Sequence, residues 1–206
     1  MTTRIKFCGI TREQDILAAA HLGVHAIGLV FHPQSSRAVD VQQAQSLSRV
    51  CPPFITRVGL FMNQDASTIT EVLEQVDLDV LQFHGEEPEE YCVSFKKPYL
   101  KSIAMGGNTP HRAREYPSAQ AMLLDSNEIG QPGGSGKAFD WDNIPENITK
   151  PIILAGGLDA NNVTQAIQRI KPYAVDVSSG IESARGIKDS VKMKNFINTV
   201  RVADEC

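Results

Sequence analysis

Short runs of apolar, β-prone residues recur along this chain, separated by longer stretches in which apolar positions return every third or fourth residue. The runs fall at residues 5–7, 26–30, 57–61, 80–83, 99–103, 122–124, 152–155 and 174–177. Several are continuous rather than alternating, as in Ile152-Ile153-Leu154-Ala155. That composition suits parallel strands covered on both faces. Between the runs, Ile16, Leu17 and Ala20 form one helical stripe, and Ile69, Val72, Leu73 and Val76 a second. Val163, Ala166, Ile167 and Ile170 form a third, and Met193, Phe196, Ile197 and Val200 a fourth. Helix-start signals agree: Thr11 with Gln14 matches a capping box, and Asp40 and Asp65 each stand just before a helical stretch.

Parallel strands need crossovers, and the helical stretches supply them. Alternation of this kind predicts an α/β fold, a (β/α)8 TIM barrel occupying residues 1–206 as one domain. A doubly wound open sheet is the alternative. The fifth and sixth connections are expected to be shortened. Residues 104–120 carry Gly106, Gly107, Pro110 and Pro117, and residues 126–150 are similarly rich in glycine and proline.

Composition narrows the function. The chain of 206 residues has a formal net charge of −4, with 42% hydrophobic and 21% charged residues. This is ordinary for a soluble globular protein and argues against a nucleic-acid partner. No apolar run is long enough to span a bilayer, so no membrane partner is expected. The start of the chain carries no signal-peptide pattern, and reduced thiols in the cytoplasm are expected. Cys8, Cys51, Cys92 and Cys206 form no CxxC clip, and His21 and His25 lack the glutamate of an HExxH site. No metal or cofactor is expected. The two histidines are read as lying at the frayed end of a helix.

In a βα barrel, chemistry collects where the strands end. Cys8 ends the first strand, where a thiol suits acid–base or nucleophilic work but equally a small buried apolar position. Arg37, in the loop after the second strand, could grip a carboxylate or simply be a solvated loop arginine. His84 ends the fourth strand, as a catalytic or a positioning group. Asp125 follows four apolar residues at the end of the sixth. Desolvation there would favour its protonated form, the state a general acid needs, although a loop-starting Asp commonly binds nearby backbone. Gly156-Gly157 and Ser179-Gly180 follow strands seven and eight, where barrels often bind phosphate. Gly133-Gly134-Ser135-Gly136-Lys137 lacks the P-loop spacing and reads instead as a lid over the mouth.

Together these segments carry a specific resemblance. KFCGITR at 6–12, SSR at 35–37, QFHG at 82–85, LLDS at 123–126, GGSGKAFDW at 133–141, LAGGL at 154–158 and VDVSSGIES at 176–183 occur in one order. The chain resembles the phosphoribosylanthranilate isomerase family of tryptophan biosynthesis over essentially its whole length. The resemblance implies an Amadori rearrangement of N-(5-phosphoribosyl)anthranilate to 1-(2-carboxyphenylamino)-1-deoxyribulose 5-phosphate. It implies Cys8 as general base, Asp125 as general acid and Arg37 on the anthranilate carboxylate. Gln82, His84 and Asp176 fall to substrate binding, and Gly156, Gly157, Ser179 and Gly180 to the phosphate. It implies a small-molecule substrate and a monomer or homodimer. Phe83 departs from the aliphatic residue expected in its motif. Two other readings stay open: another sugar-phosphate barrel isomerase, whose paired aspartates would conflict with Cys8, and a barrel that only binds a phosphorylated ligand.

Overall fold

The computed structural model describes residues 2–105, 110–126, 141–145 and 148–205. The strands are β1 (Arg4–Cys8), β2 (Ala26–Val30), β3 (Thr56–Phe61), β4 (Val80–Phe83), β5 (Tyr99–Ala104), β6 (Ala121–Asp125), β7 (Ile152–Leu154) and β8 (Ala174–Val177). All pair in parallel in sequence order, and β8 returns to pair with β1. That last pairing closes the barrel and excludes the open sheet. The crossover helices are α1 (Glu13–His21), α2 (Val41–Val50), α3 (Ala66–Gln75), α4 (Glu89–Ser94) and α5 (Val163–Ile170), and α6 (Ser190–Glu205) follows the last strand. The fifth connection has a 3-10 helix at Pro110–Glu115 instead, and the described part of the sixth has a single turn at Trp141–Asn143. Among the described residues neither connection has an α-helix, which accords with the glycines and prolines there.

Strand periodicity divides the core in two. Outward residues such as Phe7, Ile27, Phe83 and Val175 pack beneath the helices, while Val58, Leu100, Leu123, Ile153 and Ala174 fill the barrel interior. Phe83 belongs to the outer layer, edge-on to Tyr91 and Tyr99 with centroids 6.1 and 5.8 Å apart. Its departure from the aliphatic pattern therefore changes the packing behind the strand rather than the barrel mouth. Met193, Phe196, Ile197 and Val200 of α6 are buried as their spacing predicts. Each such side chain contributes roughly 1.5–3 kcal/mol.

Three local expectations need correction. Leu17 is exposed, and α1 buries Asp15, Ile16 and Ala19 instead. The cause is polar: Asp15 accepts from Arg12 and from the Lys188 amide, which turns that face of the helix inward. The capping box is not formed, because the Thr11 hydroxyl donates to the Gly186 carbonyl and the helix starts at Glu13. His25 lies beyond α1, just before β2, where its Nδ1 accepts from the Ile5 amide. The Asp40 cap is as expected, accepting from the Gln43 amide at 2.8 Å. Asp65 occupies the N-cap position of α3 without a side-chain cap bond.

One buried carboxylate ties the ends of β3 and β4 to the body of β5. Glu87, in the loop after β4, accepts from the Asn63 amide at 2.7 Å, the Gly85 amide at 3.0 Å and Lys101 Nζ at 2.9 Å. Lys101 also donates to the Gly85 carbonyl. Glu87→Ala would leave a buried ammonium without its counter-ion and two amides without an acceptor. Urea denaturation is expected to show a loss of about 3–5 kcal/mol; a loss below ~1 kcal/mol would refute this role for the pair.

Candidate active site

Every second residue of a strand faces the barrel axis, so Lys6 and Cys8 of β1 point inward together. Toward the C-terminal ends of the strands the apolar filling gives way to polar side chains. A cavity opens there, lined in part by Cys8, Arg37, Gln82, His84, Asp125, Gly156, Gly157, Asp176 and Ser179. Nine of the ten site residues expected from the sequence thus share one cavity. Gly180 follows Ser179 in the 3-10 turn Ser179–Ile181, packed so closely on the preceding loop that a Cβ would lie 2.1 Å from the Leu158 carbonyl oxygen. The expected lid at 133–137 lies outside the described residues.

Arg37 is buried beneath the loops rather than solvated. Its stem crosses Gly9, where a Cβ would sit 2.4 Å from Arg37 Cδ; the positive φ of 72° at Gly9 also favours glycine. The guanidinium makes a two-pronged bond to Glu182, from Nε at 2.7 Å and Nη2 at 2.8 Å. Lys188 Nζ donates to the same carboxylate at 2.8 Å. Glu182 and Lys188 are register partners in a small antiparallel pair, β9 (Glu182–Ala184) and β10 (Ile187–Lys188). Burial works against the Glu182 charge, yet Arg37 and Lys188 hold its carboxyl below the usual glutamate range.

Cys8 is buried, and its burial pushes the thiol above its ordinary range, with attraction to Lys6 pulling the other way. A cation-enlarged thiolate fraction, which a nearby ammonium could have supplied, is outweighed here by desolvation. Lys6 Nζ bonds Asp176 Oδ1 at 2.9 Å. Burial disfavours this ammonium, but Asp176 and Cys8 keep it above the ordinary lysine range.

Across the cavity, Gln82 Nε2 is 3.1 Å from His84 Nδ1. With the amide nitrogen donating, the ring proton resides on Nε2, which faces Asp125 Oδ2 at 3.6 Å. That separation is too long for a hydrogen bond. Burial, aided by the Lys6 charge, pushes His84 down to about 4, so the ring is neutral. Gln82 Oε1 is buried and has no hydrogen-bond partner among the described residues.

Lys6, Glu182 and Lys188 escaped the sequence reading. Lys6 left a usable signal, since a lysine two residues before Cys8 in a strand must share its face. The other two depend on a hairpin within the eighth connection that no periodicity announces. Among the described residues Cys8, Cys51 and Cys92 are free thiols, and no helix is long and apolar enough to cross a membrane.

Residues 5–199 match the family described as N-(5'phosphoribosyl)anthranilate (PRA) isomerase. An N-(5'-phosphoribosyl)anthranilate isomerase from Nitrosococcus oceani is 51% identical over 202 residues, covering 97% of this chain and 98% of the relative. A solved phosphoribosyl anthranilate isomerase from Thermotoga maritima is similar with a TM-score of 0.89 and 37% identity, over 98% of this chain and 100% of that one. Another, in complex with reduced 1-(o-carboxyphenylamino)-1-deoxyribulose 5-phosphate, gives 0.84 and 34% over the same shares.

The depressed histidine carries a stability consequence. His84 is neutral when folded but takes a proton below its ordinary value of 6.5 once unfolded, so folding weakens as pH falls from 6.5 toward 4. Over that span the contribution is on the order of 3 kcal/mol. His25 is also lowered and acts in the same direction, so the comparison must isolate His84. Thermal melts at pH 7 and pH 5 are expected to show a smaller drop in Tm for His84→Gln than for the unaltered chain. An equal drop would mean that His84 is not the acid-sensitive group.

Proposed function

Because this chain belongs to the phosphoribosylanthranilate isomerase family, we propose that Cys8 is its general base and Asp125 its general acid. The chain is an isomerase of tryptophan biosynthesis. Its reaction is the Amadori rearrangement of N-(5-phosphoribosyl)anthranilate to 1-(2-carboxyphenylamino)-1-deoxyribulose 5-phosphate. The observation that carries the assignment is the common cavity, in which a thiol from β1 and a carboxyl from β6 line the same space.

Protonated Asp125 gives its proton to the ribose ring oxygen. The bond from that oxygen to C1′ breaks, and the nitrogen lone pair forms an iminium at C1′. The iminium acidifies the C2′ hydrogen, which the Cys8 thiolate removes, leaving an enolamine. Loss of the enol proton and gain of one at C1′ give the ketone, and the two protein groups then regain their starting states. Because burial raises the thiol, the thiolate is a minority form near neutral pH. A well-placed minority base still suffices, since each acid or base contributes about 10²–10⁴-fold.

The substrate's two anionic ends require separate sites. Arg37 takes the anthranilate carboxylate, its Nε and one Nη2 hydrogen already engaged by Glu182 and its Nη1 edge without a partner among the described residues. Gly156-Gly157 and Ser179-Gly180 form the phosphate cradle through backbone amides. Gln82 Oε1, which has no partner among the described residues, accepts from a substrate N–H or hydroxyl, and neutral His84 donates from Nε2. A cytoplasmic location accords with the free thiols and the biosynthetic role.

The assignment of the protons is tested by following the fluorescence of the anthranilate substrate. Cys8→Ser and Asp125→Asn are each expected to lower kcat by about 10²–10⁴-fold, with binding of the reduced product analogue kept within about threefold. Near-normal turnover in both would defeat the scheme and leave a barrel that merely binds ligand. Arg37→Ala should weaken binding of that analogue by roughly 10–100-fold, the loss of a charge-assisted bond. Unchanged affinity would remove Arg37 from carboxylate recognition.

A further inference from the structure

We propose that the buried Lys6 ammonium is the counter-charge of the Cys8 thiolate, held by Asp176 and admitted by the missing side chain at Gly28. The inference rests on the reading of Cys8 as the base and addresses what allows its sulfur to ionise. Lys6 is thus a positioning residue, acting through Cys8 rather than on the substrate.

Sheet register creates the arrangement. Lys6 lies opposite Asp176 in the β1–β8 pairing, and Cys8 lies opposite Gly28 in the β1–β2 pairing. The Lys6 and Asp176 side chains are only 4% and 9% exposed and meet at 2.9 Å. A Cβ on Gly28 would stand 2.9 Å from the Cys8 sulfur and 3.2 Å from Lys6 Nζ. Sulfur and ammonium therefore converge on the space that a side chain at residue 28 would take. A buried ion pair seldom improves stability over apolar residues of similar size, so this pair calls for a role other than holding the barrel together.

The charges around the sulfur define that role. Facing the thiol are Lys6 from its own strand, Asp176 from β8, Lys188 from β10 and Arg37 from the loop after β2. His84 and Asp125 lie across the cavity. Burial opposes ionisation; of the charges, Lys6 favours it most strongly, Asp176 opposes it and Lys188 favours it more weakly. Asp176 thus both fixes the ammonium and tempers its field.

The two members of the pair are therefore expected to move the thiol in opposite directions, which a structural role alone would not do. Iodoacetamide labelling of Cys8 in the full-length chain, followed peptide by peptide by mass spectrometry across pH 6–10, reads its ionisation without substrate. In Lys6→Met the labelling midpoint is expected to rise by about one pH unit or more, slowing labelling roughly tenfold at fixed pH below it. In Asp176→Asn the midpoint is expected to fall. An unchanged or lower midpoint in Lys6→Met overturns the proposal. If Lys6→Met does not fold, Asp176→Asn decides: a fall supports the counter-charge, and no fall overturns it. Shifted midpoints together with an active Cys8→Ser would sink the base assignment but keep the pairing. Unshifted midpoints with an inactive Cys8→Ser would sink only the role of Lys6.

Discussion

Closure of the barrel between β1 and β8 is the constraint on which the site depends, because it lets buried charges at the mouth find partners. Charges inside a protein are tolerated when they are paired. The β1–β8 register supplies one pair by setting Lys6 opposite Asp176. The hairpin in the eighth connection supplies a second by setting Lys188 opposite Glu182, and Arg37 completes it from the loop after β2. Were β8 not beside β1, Lys6 would lose its carboxylate, and the Ser178 hydroxyl would lose the Cys8 carbonyl to which it donates.

From this frame follow the protonation states that the chemistry uses. The same burial that neutralises His84 also resists ionisation of Cys8. The neutral histidine is thereby kept as a hydrogen-bond donor from Nε2, and in the proposed scheme the proton from carbon goes to the Cys8 thiolate. Glu182, bonded by two cations, stays ionised and orients the guanidinium. The loop holding His84 is anchored separately through Glu87 and Lys101, outside the strand wall. Ion pairs thus surround the cavity whose wall carries Cys8 and Asp125, the two groups to which the proposed scheme gives the proton transfers.

Much of this is legible in the sequence itself. Parallel strands buried on both faces are nearly continuous apolar runs, and those runs placed the strands within a residue or two of their observed ends. Residues at strand ends then converge by topology alone, which is why Cys8, His84 and Asp125 could be assigned to one mouth from their positions. Three kinds of feature were hidden. The inward face of α1 is decided by the Asp15 contacts to Arg12 and β10, not by apolar spacing, so Leu17 was misplaced. Thr11 satisfies the Gly186 carbonyl instead of the helix, a competition that a local motif cannot reveal. Pairings between residues far apart, such as Arg37 with Glu182, depend on the folded path of two loops.

The proposed mechanism requires the thiol and the acid to reach two atoms of one substrate, C2′ and the ring oxygen, that flank its C1′. A crystal structure with the reduced product analogue measures this directly. The prediction is the Cys8 sulfur within about 4 Å of C2′ and the Asp125 carboxyl within hydrogen-bond reach of the former ring oxygen, with the aromatic carboxylate on Arg37. An analogue bound with its phosphate against Cys8, or with C2′ beyond the reach of the sulfur, would contradict it.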